Sequence, residues 1–314
     1  MISRRHIRLK VMQTLYAYFI ADKNDFQQAK DQLFKEFDSI INLYLLIISL
    51  PCHIAEYSVG FIEEQKNNHL ASDNGKKLSQ NFQNNKLIKI ILDDKSFMKK
   101  VNKVSILWKL NDHKIIRKLF LDIWKSDIYK NYSNIITPTF ENDQLFLLNI
   151  FEKYIIDNDL LHHILEEESI YWMDDLPFVS NIIYSQIKSL DEQKNIKFYS
   201  SVFKNSDDSD FARNLLLETI FNHKEYELII KNKAKNWDLE RIASMDYIIL
   251  LMAFCELLNF KEIPIKVTLN EYIEVAKYYS TSNSKGFING ILDKVIIDLK
   301  KKDKIKKTGR GLIE

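Results

Sequence analysis

Two groups of residues have types and spacing that could do chemistry. Arg4, Arg5 and Arg8 crowd the start of the chain, in the segment SRRHIRLKVMQTLYAY. An arginine-rich segment can hold the phosphates of RNA, because each guanidinium neutralises backbone charge. The same residues also read as solvated charge at a terminus, and cations at a helix N-terminus are mildly unfavourable with its dipole. The second group is His162, His163, Glu166, Glu167 and Glu168. Imidazole and carboxylate at i, i+3 and i+4 share one helix face, as metal ligands must. A di-metal bundle would need Glu-x-x-His on two helices and glutamates on two more. The sequence offers no second such pair, so the group reads as a solvated polar face ahead of Tyr171 and Trp172, and no metal is expected.

Nothing else suggests catalysis. There is no phosphate-cradling Gly-x-x-x-x-Gly-Lys loop, dinucleotide fingerprint, nucleophile elbow or cysteine-based zinc spacing. An enzyme is therefore the poorer reading, and no cofactor is implied. Trp108, Trp124 and Trp172 read as packing anchors. Cys52 and Cys255 make no disulfide framework, and Cys255 sits in an apolar run as a small core residue, which suits a reducing cytoplasm.

The elements that position these residues follow from composition. Across 314 residues, 46% are hydrophobic, with only six glycines and four prolines, too little turn chemistry for an all-β fold. Long apolar periodicities predict an all-α protein. The net charge of +2 is too small to identify a nucleic-acid binder in bulk, so any such case rests on local clusters. The most apolar run, Ile40 to Leu50, falls short of the roughly 20 residues that span a bilayer. The start of the chain lacks the apolar block of a signal peptide. A cytoplasmic protein without a membrane anchor is expected.

In the first helix Ile7, Val11, Leu15, Tyr18 and Phe19 form the inward stripe, with Arg4 and Arg5 in an exposed arm or first turn, Arg8 at the stripe's edge and Lys10 on the far side. Further helices are predicted near 26–66, 84–109, 113–131, 141–168 and 177–203, separated by polar stretches such as 72–75 and by Pro138 and Pro177. Asp207 to Asp210 reads as a linker and cap before a helix that opens with Phe211, Leu215 and Ile220.

The stretch from Asn236 to Leu299 is the most organised. Ile242, Met245, Ile249 and Met252 follow one face of a helix that is apolar on its other sides too, so it should be central. Thr268-Leu269-Asn270-Glu271 fits a capping box, followed by an inward stripe of Leu269, Ile273 and Ala276. A polar turn, Ser280 to Gly286, leads to a last helix with Phe287, Ile291, Val295 and Leu299 at four-residue spacing. Lysines crowd the tail after Asp298, a pattern usual for a frayed, solvated end.

These residues carry a resemblance. Trp237, Glu240 and Arg241, the helix ending Cys255-Glu256-Leu257-Leu258, then IPIKVTLNEYIEVAK and SNSKGFINGILDK are similar to the C-terminal half of the NusB family of transcription antitermination factors. The opening arginines followed by Gln13-x-Leu15-Tyr16 resemble that family's first helix. Residues 22–207 have no counterpart in compact members, which makes this a lengthened form. The implied organisation is a NusB-like helical bundle with a large helical insertion after the first helix: residues 1–21 as first helix and arm, 22–207 as insertion, 208–299 as core, and 300–314 as basic tail.

The resemblance implies an RNA-binding antitermination factor. It would act on boxA-type single-stranded RNA of ribosomal-RNA transcripts with NusE, a small-subunit ribosomal protein, within the RNA polymerase antitermination complex. It places RNA contacts on two patches brought side by side: Arg4, Arg5 and Arg8 for phosphates, and Ser282, Asn283, Ser284 and Lys285 with Phe287 for bases. Phe287 reads equally as core packing. The family often has an acidic residue where Asn283 stands; an amide repels phosphate less. The alternative is a helical protein-interaction scaffold working through residues 22–207.

Overall fold

The computed structural model describes residues 2–21, 25–67, 79–105, 108, 114–192, 198–233 and 242–313. Trp237, Glu240, Arg241 and the polar stretch 72–75 lie outside the described residues. Every regular element among the described residues is helical, as the composition predicts. In chain order these are α1 (Arg4–Ile20), α2 (Phe26–Asn67), α3 (Lys86–Asp93), α4 (Lys95–Val104), α5 (Lys114–Trp124), α6 (Asp127–Ser133), α7 (Phe140–Ile150, continued by a π-helical turn, Phe151–Ile156), α8 (Asp159–Glu168), α9 (Trp172–Lys188), α10 (Ser206–Lys233), α11 (Ser244–Asn259), α12 (Ile265–Tyr279), α13 (Ser284–Lys301) and a 3-10 turn (Gly309–Leu312). The chain divides into two compact units, Met1–Phe37 with Phe203–Glu314, and Asp38–Val202.

In the first unit α11 is the centre. It packs against α1, α10, α12 and α13. All its residues from Ile248 to Leu257 are buried, Glu256 included. A helix apolar nearly all round can only sit where neighbours cover every side. α1 runs antiparallel to it, because Arg8 meets Glu256 near one end and the Phe19 ring lies 6.4 Å from that of Tyr247 near the other. Ile7, Val11 and Leu15 are buried as predicted, but so are Arg8 and Lys10. Periodicity alone placed these two cations at the edge and on the far side.

α12 corrects the capping-box expectation. The helix starts at Ile265, with Pro264 in the N-cap position, so Thr268 already lies inside it. The Thr268 hydroxyl donates to Glu256 Oε1 at 2.9 Å, and Glu271 pairs with arginines of α1. The buried stripe is Thr268, Tyr272, Val275 and Ala276, with Leu269 and Ile273 only half-buried. α10 likewise starts earlier than expected. Asn205 accepts the Asp208 amide, and Asp207 and Asp208 sit in the first turn, where negative charge suits the helix dipole.

The tail is not frayed. α13 ends with Asp303 in the left-handed conformation (φ 51°) and the Lys304 amide donating to Leu299 O at 2.9 Å, the pattern of a Schellman cap. Beyond it, the Thr308 amide donates to Lys261 O at 3.0 Å.

In the second unit, short polar residues break the long predicted runs. The Asp94 carboxylate accepts the Phe97 amide and divides 84–109 into α3 and α4. Ser126 caps α6, Thr139 and Asn142 form a capping box on α7, and Asn158 caps α8. Pro177 lies inside α9 rather than before it. Tyr132 stacks on Phe146 at 4.0 Å and donates to Asp143 Oδ1 at 2.5 Å, while Asp143 Oδ2 takes the Lys86 amide. Trp108 and Trp172 are buried, and the Trp172 indole donates to Ser39 Oγ. α2 contains a stretch long and apolar enough to cross a membrane, but 67% of that stretch is buried inside the protein, as in a core helix.

Candidate nucleic-acid interface

The three arginines at the start of α1 make four ion pairs to three other helices, Arg8 reaching Glu271 at 3.6 Å as well as its main partner. Arg4 Nε donates to Asp208 Oδ1 of α10 at 3.2 Å. Arg5 grips Glu271 of α12 with two hydrogen bonds, 2.9 and 2.8 Å. Arg8 grips Glu256 of α11 with two of 2.8 Å. Ser3 caps the helix by accepting the His6 amide. Phe211 underlies the group, 5.1 Å from the Arg4 guanidinium and 5.2 Å from that of Arg8.

Exposure separates the three. The side chains of Arg4 and Arg5 are 45% and 56% exposed, so their remaining N–H groups face solvent. Arg8 is 3% exposed, and its place is the core. Glu256 also accepts from Thr268 and from the Tyr272 hydroxyl at 3.1 Å, so its carboxylate has four hydrogen bonds. Burial would lower the Arg8 pKa, but hydrogen bonding and attraction to Glu256 reverse the sign and hold it above the ordinary value. Arg8 is therefore a fixed charge within the fold.

The polar turn between α12 and α13 is pinned by Asp246 at the start of α11. Ser280 Oγ donates to Asp246 Oδ1 and Ser284 Oγ to Oδ2, while the Thr281 amide donates to Ser284 Oγ at 3.2 Å. Ser284 is 1% exposed, so it fixes the turn from inside and presents nothing to a ligand. Ser282, Asn283 and Lys285 are exposed, and Phe287 is half-buried. Asn283 occupies the N-cap position of α13 without a side-chain cap hydrogen bond and is exposed.

The two patches do not lie side by side. Glu256, under the arginines, and Asp246, under the turn, are ten residues apart on α11, about 15 Å at 1.5 Å per residue. They occupy opposite ends of α11. Tyr278, 71% exposed, stands two helical turns beyond Glu271 on the same face of α12, on the way from one patch to the other. Sequence reasoning missed it, because one exposed tyrosine carries no periodic signal. It also missed Asp246, whose role depends on a turn folding back onto it.

Residues 179–296 match the model of the NusB family. This region of the chain is similar to the NusB family. Relatives named transcription antitermination protein NusB include those of Salinibacter ruber, 47% identical over 104 residues, Chloroherpeton thalassium, 39% over 105, and Thermodesulfovibrio yellowstonii, 42% over 92. These alignments cover 33%, 33% and 29% of this chain and 65%, 50% and 61% of the respective relatives. The chain thus spans between half and two thirds of each NusB relative. The NusB match contains α10 to α12, the pinned turn and most of α13, whereas α1 with its arginines precedes it.

The histidine group belongs to the second unit. His162 Nε2 lies 2.6 Å from Ile156 O, and His163 pairs with Glu167 at 3.5 Å in solvent. Among the described residues no three metal-ligating side chains converge. Both cysteines are buried thiols, and burial pushes each up to about 12.

Proposed function

We propose that this protein is an RNA-binding transcription antitermination factor of the NusB type, acting in the cytoplasm within an RNA polymerase antitermination complex. Its ligand is boxA-type single-stranded RNA, and its protein partner is NusE, a small-subunit ribosomal protein. The observation that carries this reading is the pair of anchored, half-exposed guanidiniums of Arg4 and Arg5, the latter on Glu271 midway along α12, with exposed Ser282, Asn283 and Lys285 in the turn that follows that helix.

Arg4 and Arg5 position phosphates and carry no sequence information, while the amide and hydroxyls of the turn meet base edges. A stacked strand rises about 3.4 Å per nucleotide, so about four nucleotides match the span along α11 from Glu256 to Asp246. A single strand suits this face better than a duplex, because its unpaired bases are free to stack on Tyr278 or the exposed edge of Phe287. The names of the relatives support the antitermination role.

The test is capture of purified NusE by the intact chain, with and without boxA RNA. Joint retention that increases with the RNA supports the reading, and indifference of each to the other refutes it. A second reading, a helical interaction scaffold, is favoured by Asp38–Val202, a compact unit lying mostly outside the family match. It predicts that the R4A/R5A chain keeps its protein partners after losing RNA.

A further inference from the structure

We propose that the C-terminal tail, through Arg310, completes a phosphate-binding cleft with the first turn of α1. This inference rests on the RNA reading above and adds a residue that neither the family match, which stops at 296, nor the arginine cluster contains.

The cleft, about 480 Å³, is lined by Ser3, Arg4, Arg5, Arg310, Glu262 and Pro264 among others. Arg310 stands there because the fold holds the tail on both sides of it. Lys307 Nζ donates to Phe260 O at 2.9 Å and reaches Glu256 O at 3.4 Å. Gly311 is pressed so closely on the α11–α12 connection that a Cβ would lie 2.0 Å from Lys261 O. Only glycine permits that approach. Gly309, at φ 53°, supplies the left-handed bend just before Arg310.

The charge in the cleft is unequally neutralised. Arg4 and Arg5 each have a carboxylate partner, whereas Arg310 makes no ion pair among the described residues and is exposed. α1 spans 17 residues and has no acidic residue in its first turn, so the positive end of its dipole adds to the arginines. One fork satisfies a planar carboxylate. Guanidiniums converging from the first turn and from the tail suit a tetrahedral phosphodiester, which can accept from several directions. Glu262 is the opposing charge on the rim.

The experiment is fluorescence anisotropy of the intact chain with a boxA-type single-stranded oligonucleotide and a scrambled one over a salt series. R310A should weaken binding of both oligonucleotides by the same factor and reduce the slope of log K against log salt by about 0.7, the value for one phosphate contact on a single strand. G311A keeps the charge but displaces the tail and should act in the same direction, with thermal melting to show that it folds. E262Q should tighten both complexes. An R310A slope equal to that of wild type overturns the inference, as does an R310A effect confined to binding of a protein partner, which would make the cleft a carboxylate site. Equal wild-type affinity for the two oligonucleotides sinks the boxA reading but leaves the slope test intact; no RNA binding by wild type overturns both.

Discussion

Arg8 and Glu256 form a bidentate ion pair with almost no exposure to water, 3% and 0%, at the junction of α1, α11 and α12. The pair fixes the direction of α1 and so the position of the two arginines ahead of it. Removing one member of a buried pair leaves an uncompensated charge and costs about 3–5 kcal/mol, whereas replacing both with apolar residues is often close to neutral. R8M should lower stability by about that amount in urea unfolding at neutral pH. R8M/E256L should recover only part of the loss, because the buried hydroxyls of Thr268 and Tyr272 lose their acceptor, and a single-variant effect below about 1 kcal/mol would be that of a surface pair.

Glu271 gives a pH signature. The Arg5 hydrogen bonds, then the nearby charge of Arg8, hold its carboxyl below the usual range although burial opposes them. A folded-state pKa below the unfolded value of about 4.3 means the stabilisation is complete above that pH and is lost as pH falls through the folded value. E271Q lacks this contribution at every pH. Unfolding free energies of wild type and E271Q from urea titration at pH 6 should therefore differ by no more than about 1 kcal/mol, since Arg5 is solvent-exposed. The gap attributable to ionisation should narrow as pH falls below 4, and a gap widening toward acid would reverse the assignment.

Asp246 positions the turn without touching ligand. Its carboxylate takes both Ser280 and Ser284, so D246A should cost about 1–3 kcal/mol and free residues 281–285. Amide exchange in the turn should accelerate. RNA affinity should fall while the salt slope stays unchanged, because no phosphate contact is lost; a reduced slope would instead mean that the whole face had moved.

Tyr278 tests the path between the patches. Base stacking is worth about 1–3 kcal/mol per base, so Y278A should weaken RNA binding about fivefold or more while Y278F keeps it. Equal weakening by both variants would implicate the hydroxyl and not the ring.

The fold was largely legible because burial and period agree. The all-round apolar character of α11 predicted its central place, and Ile7, Val11 and Leu15 predicted the packed side of α1. The failures share one cause. Arg8, Lys10, Thr268 and Ser284 are polar residues in the core, and periodicity assigns polar residues outward. What draws Arg8, Thr268 and Ser284 inward is a buried carboxylate, Glu256 or Asp246, on a helix distant in sequence. Thr268 looked like a cap for the same reason: its local pattern fits one, but Pro264 lets the helix begin a turn earlier. In the second unit, Asp94, Ser126 and Asn158 cut single apolar runs into several helices, since a run shows where burial continues and a cap decides where a helix restarts. Of the expected RNA contacts, Arg4, Arg5, Ser282, Asn283 and Lys285 are exposed, Phe287 is partly so, and Arg8 and Ser284 are buried. The arginine at 310 was hidden in what read as a loose tail.

The most direct test is the affinity of the chain, with NusE present, for boxA RNA against a scrambled strand of the same length across a salt series, for wild type and R4A/R5A. The account predicts a preference for boxA in the wild type and a salt slope reduced in the variant by about 0.7 for each arginine. Equal affinity for the two strands, or a slope unchanged by loss of both arginines, would contradict it.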